Sequence, residues 1–175
     1  MIGERTMTRG DRCDEYSAPL FIAWQLNTEC NLNCLHCCEE AGGSSPSPDA
    51  MSKAQALQIC QQFVQAGVPY VALSGGEPLM CPHIWDICEY LRSHNVDIKI
   101  ETNGEMIDQA VAERLAGLSL RSVQISMDGA TAKSHEALRE NGDWLRVVDT
   151  CRLLSKINVN MEIVFVPTSF NIHEV

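Results

Sequence analysis

Strand-like and helix-like segments alternate along most of this chain, and the alternation limits what it can fold into more than any other feature. Short apolar runs bounded by turn residues are typical of buried strands, and apolar residues three or four positions apart are typical of helices. The predicted strands are 20–26, 70–73, 97–101, 122–126 and 159–166, and the predicted helices are 52–67, 83–94, 108–115 and 144–154. Strands that alternate with helices pack as a parallel sheet through right-handed crossovers. We therefore predict an α/β fold with five parallel strands.

The length of the chain limits how far such a sheet can close. A closed barrel of eight strand–helix units needs about 250 residues, and this chain has 175. We therefore expect an open or partial barrel, apparently truncated after its fifth strand, in a core of residues 20–175 that is incomplete at its C-terminus. The polar residues 1–19 are expected to form an N-terminal arm. In an open or a partial barrel, ligand sites gather where the carboxyl ends of the strands meet.

The charge and the cysteine content of the chain narrow its partners and its location. A formal net charge of -10 would repel a phosphate backbone, so we expect no nucleic-acid partner. Residues 1–17 lack the apolar region of a signal peptide, and no apolar run approaches the roughly 20 residues needed to span a bilayer. We expect no membrane partner and a cytoplasmic location. Thiols stay reduced there, so nine cysteines indicate metal ligation or burial rather than disulfides.

The long loop after the first predicted strand carries a compact cysteine triad. Cys30, Cys34 and Cys37 have the spacing C-x3-C-x2-C within residues 27–49, a segment rich in Cys, Asn, Gly, Ser and Pro. Loops of this length in compact domains are usually functional. An iron–sulfur cluster of four irons ordinarily takes four cysteine ligands. A triad without a fourth member therefore leaves one iron free for a substrate or a cofactor, as catalytic zinc sites keep one open position.

A zinc site is the alternative interpretation of the same triad. His36 or Cys38 would complete its four ligands, although the distant second Cys/His pair of structural zinc modules is missing. Cys38 is otherwise expected to be a small packing residue or a spare thiol, because adjacent cysteines cannot easily both turn towards one cluster. We predict no second cluster, because the remaining cysteines are isolated or suit burial in predicted helices: Cys13, Cys60, Cys81, Cys88 and Cys151.

Three further motifs follow the next three predicted strands. Gly75–Pro78 follows the second strand, Thr102–Gly104 the third, and Ser126–Gly129 the fourth, with His135 and Arg139 downstream. Two glycines allow the backbone to approach a ligand closely, and a carboxylate beside them suits an ammonium group. A guanidinium group matches the geometry of a carboxylate. Taken singly, the first two motifs could be ordinary turns, and the last could be a helix-entry turn with a surface arginine.

Together, the cysteine triad and these motifs resemble the radical S-adenosylmethionine (SAM) superfamily. The family's signature is the same triad with an aromatic residue before the third cysteine, a position that His36 takes here. The resemblance implies a partial (βα)6 TIM-like barrel with parallel strands and a 4Fe-4S cluster held by Cys30, Cys34 and Cys37. The residues that it implies for SAM binding are His36, Gly75, Gly76, Glu77, Pro78, Asn103, Ser126, Asp128 and Arg139.

The resemblance also implies a mechanism. The reduced cluster passes an electron to SAM, whose amino and carboxylate groups chelate the open iron, and SAM splits into methionine and a 5′-deoxyadenosyl radical that takes hydrogen from a substrate. Gly75–Pro78 would bind the amino group and Arg139 the carboxylate, with Ser126 and Asp128 near the ribose or the methionine end. An electron donor such as flavodoxin or ferredoxin is implied as a partner.

The sequences of these motifs are most similar to those of radical SAM members that carry a cysteine-rich C-terminal extension called SPASM or twitch. Those members act on ribosomal peptides, on haem and other cofactor precursors, or on sugars, so we expect a peptide or a small-molecule substrate. Two alternatives stay open, a non-catalytic iron–sulfur electron-transfer module and an inactive fragment of a longer radical SAM protein. An electron carrier would explain the triad, but neither Gly75–Pro78 nor Ser126–Gly129.

Overall fold

Five parallel strands form the main sheet of the computed structural model, which describes residues 18–174 except 44 and 46. The strands in chain order are β1 (Ile22–Gln25), β2 (Asn33–Cys34), β3 (Tyr70–Ser74), β4 (Asp97–Thr102), β5 (Ser122–Ser126), β6 (Arg139–Glu140) and β7 (Met161–Val164). The sheet has the order β1-β3-β4-β5-β7, and every neighbouring pair is parallel. Strand order that follows the chain suits a barrel, whereas a doubly wound sheet reverses its order. The predicted N-terminal arm falls almost wholly outside the described residues.

The described residues form five α-helices, and sequence alone predicts four of them. They are α1 (Lys53–Ala66), α2 (Ile84–Ser93), α3 (Gln109–Gly117), α4 (Ala132–Leu138) and α5 (Trp144–Lys156), of which α4 was not predicted. Helix α1 begins at a capping box, in which the Ser52 side chain accepts from the Gln55 N–H and the Gln55 side chain accepts from the Ser52 N–H. It ends at Gly67, whose φ of 77° is the left-handed conformation that favours glycine at this position.

The hydrophobic core lies between the helices and one face of the sheet. Its strand residues alternate with residues on the other face, as a period of two requires. Each large aliphatic side chain buried here contributes about 1.5–3 kcal/mol. Its members include Val71, Leu73, Ile98, Ile100, Val123 and Ile125 from the strands and Cys60, Ile84, Ile87, Cys88, Leu91, Leu115 and Leu154 from the helices. Burial raises the pKa of Cys60 and of Cys88 to about 12, so both remain thiols, as predicted for buried small residues.

The opposite face of the sheet is polar. Glu101 of β4 lies opposite Gln124 of β5, and the Lys99 ammonium lies 3.1 Å from Glu101 Oε1 and 3.6 Å from Glu162 Oε2. These side chains leave one face of the sheet hydrophilic. No helix in the described part of the chain is both long and apolar enough to cross a membrane.

Candidate functional site

A cleft of about 280 Å³ opens at the carboxyl ends of the strands, where the sequence predicts a ligand site. Parallel strands present their loops at this edge, so residues distant in sequence meet there. Most of the predicted site residues line the cleft: Cys30, Cys34, Cys37, His36, Gly75, Gly76, Asn103, Ser126 and Arg139. The side chains of Glu77, Pro78 and Asp128 are buried away from it.

The three cysteines of the triad face this cleft together. Cys30 is buried, and Cys34 and Cys37 are half-buried. Asn103 Nδ2 donates to Cys30 Sγ over 3.9 Å, and Arg139 Nη1 donates to Cys34 Sγ over 3.7 Å. Such N–H groups stabilise thiolate charge, and hydrogen bonds to cysteine sulfur tune iron–sulfur clusters. The donor set therefore fits a cluster held by three cysteines.

The environment of the thiols opposes their ionisation. Burial raises the pKa of the Cys30 thiol, whereas the hydrogen bond that the Leu32 N–H donates to Cys30 Sγ lowers it. Burial also raises the pKa of the Cys34 thiol, against the nearby positive charge of Arg139. Metal ligation requires the thiolate form, so loading of the site must release protons.

A single metal ion would need ligands that converge on one point, as the zinc alternative requires. Within the described residues, no three His, Cys, Asp or Glu side chains are arranged to hold one metal ion. In a cluster, by contrast, each cysteine binds a different iron, and the thiols stand farther apart.

A short antiparallel ladder, which sequence analysis did not predict, carries Arg139 to the cysteine loop. Strand β2 pairs with β6, so that Cys34 lies opposite Arg139. The Leu35 N–H extends the ladder by donating to the Leu138 carbonyl over 2.9 Å. Arg139 is only 8% exposed, so the alternative of a surface arginine is wrong. The helix-entry turn of that alternative does exist, because Thr131 caps α4 and its side chain accepts from the Ser134 N–H.

The two glycines after β3 make room for the start of the cysteine loop. A Cβ atom on Gly76 would lie 2.3 Å from the Glu29 carbonyl oxygen. A Cβ atom on Gly75, whose φ is 150°, would lie 2.4 Å from Asn27 Oδ1. The Gly76 N–H donates to the Asn27 carbonyl and the Glu77 N–H to the Glu29 carbonyl, over 2.9 and 2.7 Å. The glycines line the cleft, and the close approach that they permit is to the backbone leading into Cys30.

Glu77 joins the end of β3 to the end of β4. Its carboxylate is fully buried and accepts from Thr102 Oγ1 at 2.7 Å, the Asn103 N–H at 2.9 Å and the Leu79 N–H at 3.0 Å. Burial raises the pKa of Glu77, and the hydrogen bonds from Asn103, Thr102 and Leu79 oppose that rise. Pro78, also buried, begins the short 3-10 turn Pro78–Met80. The Glu77 carboxylate thus orders the cleft wall from behind.

Sequence reasoning missed the strand residues that form the floor of the cleft. They occupy alternate positions near the ends of the strands, on the face that also carries Ser126, so the period of two could have identified them. They are Gln25, Ser74, Glu101, Gln124 and Val164. Cys38 lies at the rim and is exposed, so its interpretation as a packing residue is wrong and that of a spare thiol remains.

Comparison with known proteins identifies relatives of this chain. A family model described as the radical SAM superfamily matches residues 24–173. The chain is 38% identical over 131 residues to mycofactocin maturase MftC of Mycobacterium ulcerans, an alignment that covers 75% of this chain and 35% of that protein. It is 29% identical over 160 residues to the AdoMet-dependent heme synthase of Methanosarcina barkeri, covering 91% of this chain and 46% of that protein. The chain thus spans less than half the length of either relative.

Solved structures share the fold. SuiB of Streptococcus suis superposes with a TM-score of 0.76 at 21% identity, over 87% of this chain and 34% of SuiB. The structure titled anSMEcpe with bound AdoMet superposes with a TM-score of 0.68 at 24% identity, over 82% of this chain and 42% of that one. The predicted α/β fold, a partial barrel of parallel strands, is confirmed. The chain belongs to the radical SAM superfamily, a group of enzymes that use a 4Fe-4S cluster and S-adenosylmethionine.

Proposed function

We propose that this chain is the catalytic core of an enzyme that cleaves SAM reductively in order to modify a ribosomal peptide, a haem-type precursor or another cofactor precursor. One observation carries the proposal. The three cysteines of the triad share a cleft with the buried Arg139, at the edge of the sheet where ligands bind. An electron-transfer module needs the cysteines, but it does not need a guanidinium group directed into the same cleft.

In this proposal Cys30, Cys34 and Cys37 hold the cluster, and Asn103 and Arg139 direct N–H groups at two of the three sulfurs. With both cofactors bound, the cluster and SAM would supply the electron transfer and bond cleavage that yield the 5′-deoxyadenosyl radical. The protein itself fixes positions and limits the access of water.

The rest of the cleft wall suits the polar ends of SAM. Arg139 offers a cation for the carboxylate, and the backbone at Gly75 and Gly76 lies beside the cysteine loop, where the amino group would bind. Ser126 and His36 offer polar groups for the ribose and the adenine. Glu77 would act indirectly, since its carboxylate already accepts hydrogen bonds from Thr102 and Asn103 behind the cleft wall.

The relatives support the proposed substrate class. They are named as a maturase of mycofactocin and a heme synthase, and SuiB has been solved with the precursor peptide SuiA. The polar floor formed by Gln25, Glu101 and Gln124 offers hydrogen bonds to a substrate placed above the sheet. A flavodoxin or a ferredoxin is the proposed source of the electron.

The proposal predicts that the protein, reconstituted anaerobically with iron and sulfide, consumes SAM and forms 5′-deoxyadenosine when dithionite is added. Chromatography of the reaction mixture measures both compounds. Protein that has not been reconstituted is the control and should form neither methionine nor 5′-deoxyadenosine. A cluster that is reduced by dithionite while SAM remains intact would instead support an electron carrier and contradict the proposal.

A further inference from the structure

Asp128, placed by the sequence near SAM, is buried behind the cleft wall. It is fully buried, and its Oδ1 accepts from the N–H of Val166, two residues beyond the end of β7, over 2.8 Å. Its Oδ2 accepts from Arg139 Nε at 2.7 Å and lies 3.0 Å from His36 Nε2. Three donors from separate segments therefore surround one carboxylate, which leaves little of it free for a ligand.

The backbone around Asp128 is fixed as well. Its N–H donates to His135 Nδ1 over 3.2 Å, and its carbonyl accepts from Asn171 Nδ2 over 2.9 Å. His135 is 1% exposed, and burial lowers its pKa, with the nearby Arg139 charge acting in the same direction. A neutral ring can accept at Nδ1, as this bond requires. The motif histidine thus holds the aspartate, and the aspartate in turn holds the motif arginine.

The groups that Asp128 holds are the ones that reach the cleft. Arg139 has Nε on Asp128 and Nη1 on Cys34 Sγ, which fixes the plane of its guanidinium group at the cleft wall. His36 has Nε2 beside Asp128, while its Nδ1 is buried without a hydrogen-bond partner among the described residues. A carboxylate only accepts hydrogen bonds, so His36 Nε2 carries the hydrogen in this contact.

We infer that Asp128 is a positioning residue for SAM binding, which acts through Arg139 and His36 and does not touch SAM itself. The buried Asp128 carboxylate orients the Arg139 guanidinium group towards the cleft and also contacts His36, the residue before Cys37. It therefore fixes the cysteine loop relative to the cleft wall that would bind SAM. A fixed guanidinium group loses less freedom when it binds a carboxylate. The inference rests on the proposed function, because it requires SAM in this cleft.

The test is the Asp128→Asn variant, which keeps the size of the side chain and removes its charge. The amide must then turn its NH2 group either towards the Val166 N–H or towards Arg139 and His36, and in both orientations Arg139 loses its ion pair with a buried carboxylate. We expect iron and sulfide content equal to that of the unaltered protein, and a Kd for SAM about tenfold higher or more. The matched control is Asp108→Asn at the exposed start of α3, where asparagine caps a helix as well as aspartate does, and its Kd should not change.

A second variant separates positioning from mere stabilisation. Arg139→Lys keeps the positive charge but loses the Nε contact to Asp128, and it should weaken SAM binding about as much as Asp128→Asn. If Asp128 acts through Arg139, the double variant should bind SAM less than about twofold more weakly than either single variant, because the two effects are not additive. The electron paramagnetic resonance signal of the reduced cluster should change on addition of SAM in the unaltered protein and much less in the variants.

The outcomes are distinguishable. Unchanged SAM affinity in Asp128→Asn, full additivity with Arg139→Lys, or loss of the cluster in a folded Asp128→Asn protein would each overturn the positioning role alone. If Asp128→Asn does not fold, unchanged SAM affinity in Arg139→Lys, which also lacks the Nε contact to Asp128, overturns the positioning role. Failure of the unaltered, cluster-loaded protein to bind SAM would overturn the proposed function and this role together.

Discussion

Replacing Cys30, Cys34 and Cys37 together by alanine is expected to abolish both the cluster and the formation of 5′-deoxyadenosine. The three thiols face one cleft, and no alanine side chain can bind iron. Iron and sulfide analysis after anaerobic reconstitution measures the cluster, and chromatography after addition of SAM and dithionite measures the product. Without iron, the variant should lose only the modest stability that truncation of the buried Cys30 costs, since Cys34 and Cys37 are half-buried.

The chain offers a matched control one residue away. Cys38 is exposed and its thiol donates to Glu39 Oε1, so Cys38→Ala should keep the cluster and SAM cleavage. Cluster loss in Cys38→Ala would reveal a fourth cysteine ligand and contradict the open iron. Continued formation of 5′-deoxyadenosine by the triple variant would show that the triad does not hold the cluster.

Glu77→Ala is expected to lower the free energy of unfolding by about 3 kcal/mol, because it leaves three donors without a partner in a buried site. It also opens a cavity at the junction of β3 and β4. Urea unfolding of the protein without iron measures the change. The Asn103 N–H would lose its hydrogen bond to Glu77, and the Asn103 side chain contacts Cys30 Sγ. The reconstituted variant should therefore also contain less iron.

Glu89→Ala is the control for this change. Glu89 is 58% exposed and pairs with Arg114 on the surface, so its removal should cost less than about 0.5 kcal/mol. Equal losses in the two variants would mean that the buried carboxylate of Glu77 does not organise the junction of the two strands.

The main sheet and four of its helices could be predicted because their signals are local. The capping box at Ser52, the left-handed Gly67 and the alternating apolar and polar residues of 122–126 each depend on neighbours in sequence. The β2–β6 ladder could not be predicted in the same way. It joins two residues of the cysteine loop to two residues more than a hundred positions away, and neither segment has a strand pattern of its own.

In the candidate site, too, the features that are local in sequence could be predicted and those that depend on distant segments could not. The cysteine triad is local in sequence, and its spacing alone suggests three ligands to one cluster. The side chains of Glu77 and Asp128 lie behind the cleft wall, although the motifs place them beside SAM. Which way a side chain at a strand end turns depends on donors from other segments, here Thr102 for Glu77 and Val166 for Asp128. A motif names such a residue but does not show which of its atoms are already bonded.

The proposed function depends on a cluster held by three cysteines with one iron open to SAM. Electron–nuclear double resonance of the reduced cluster, with SAM isotopically labelled at its amino nitrogen and carboxylate, tests it most directly. We expect hyperfine coupling to both labelled groups and its loss when unlabelled SAM replaces the labelled form. A cluster whose spectrum is unchanged by SAM, with no coupling to either group, would contradict it.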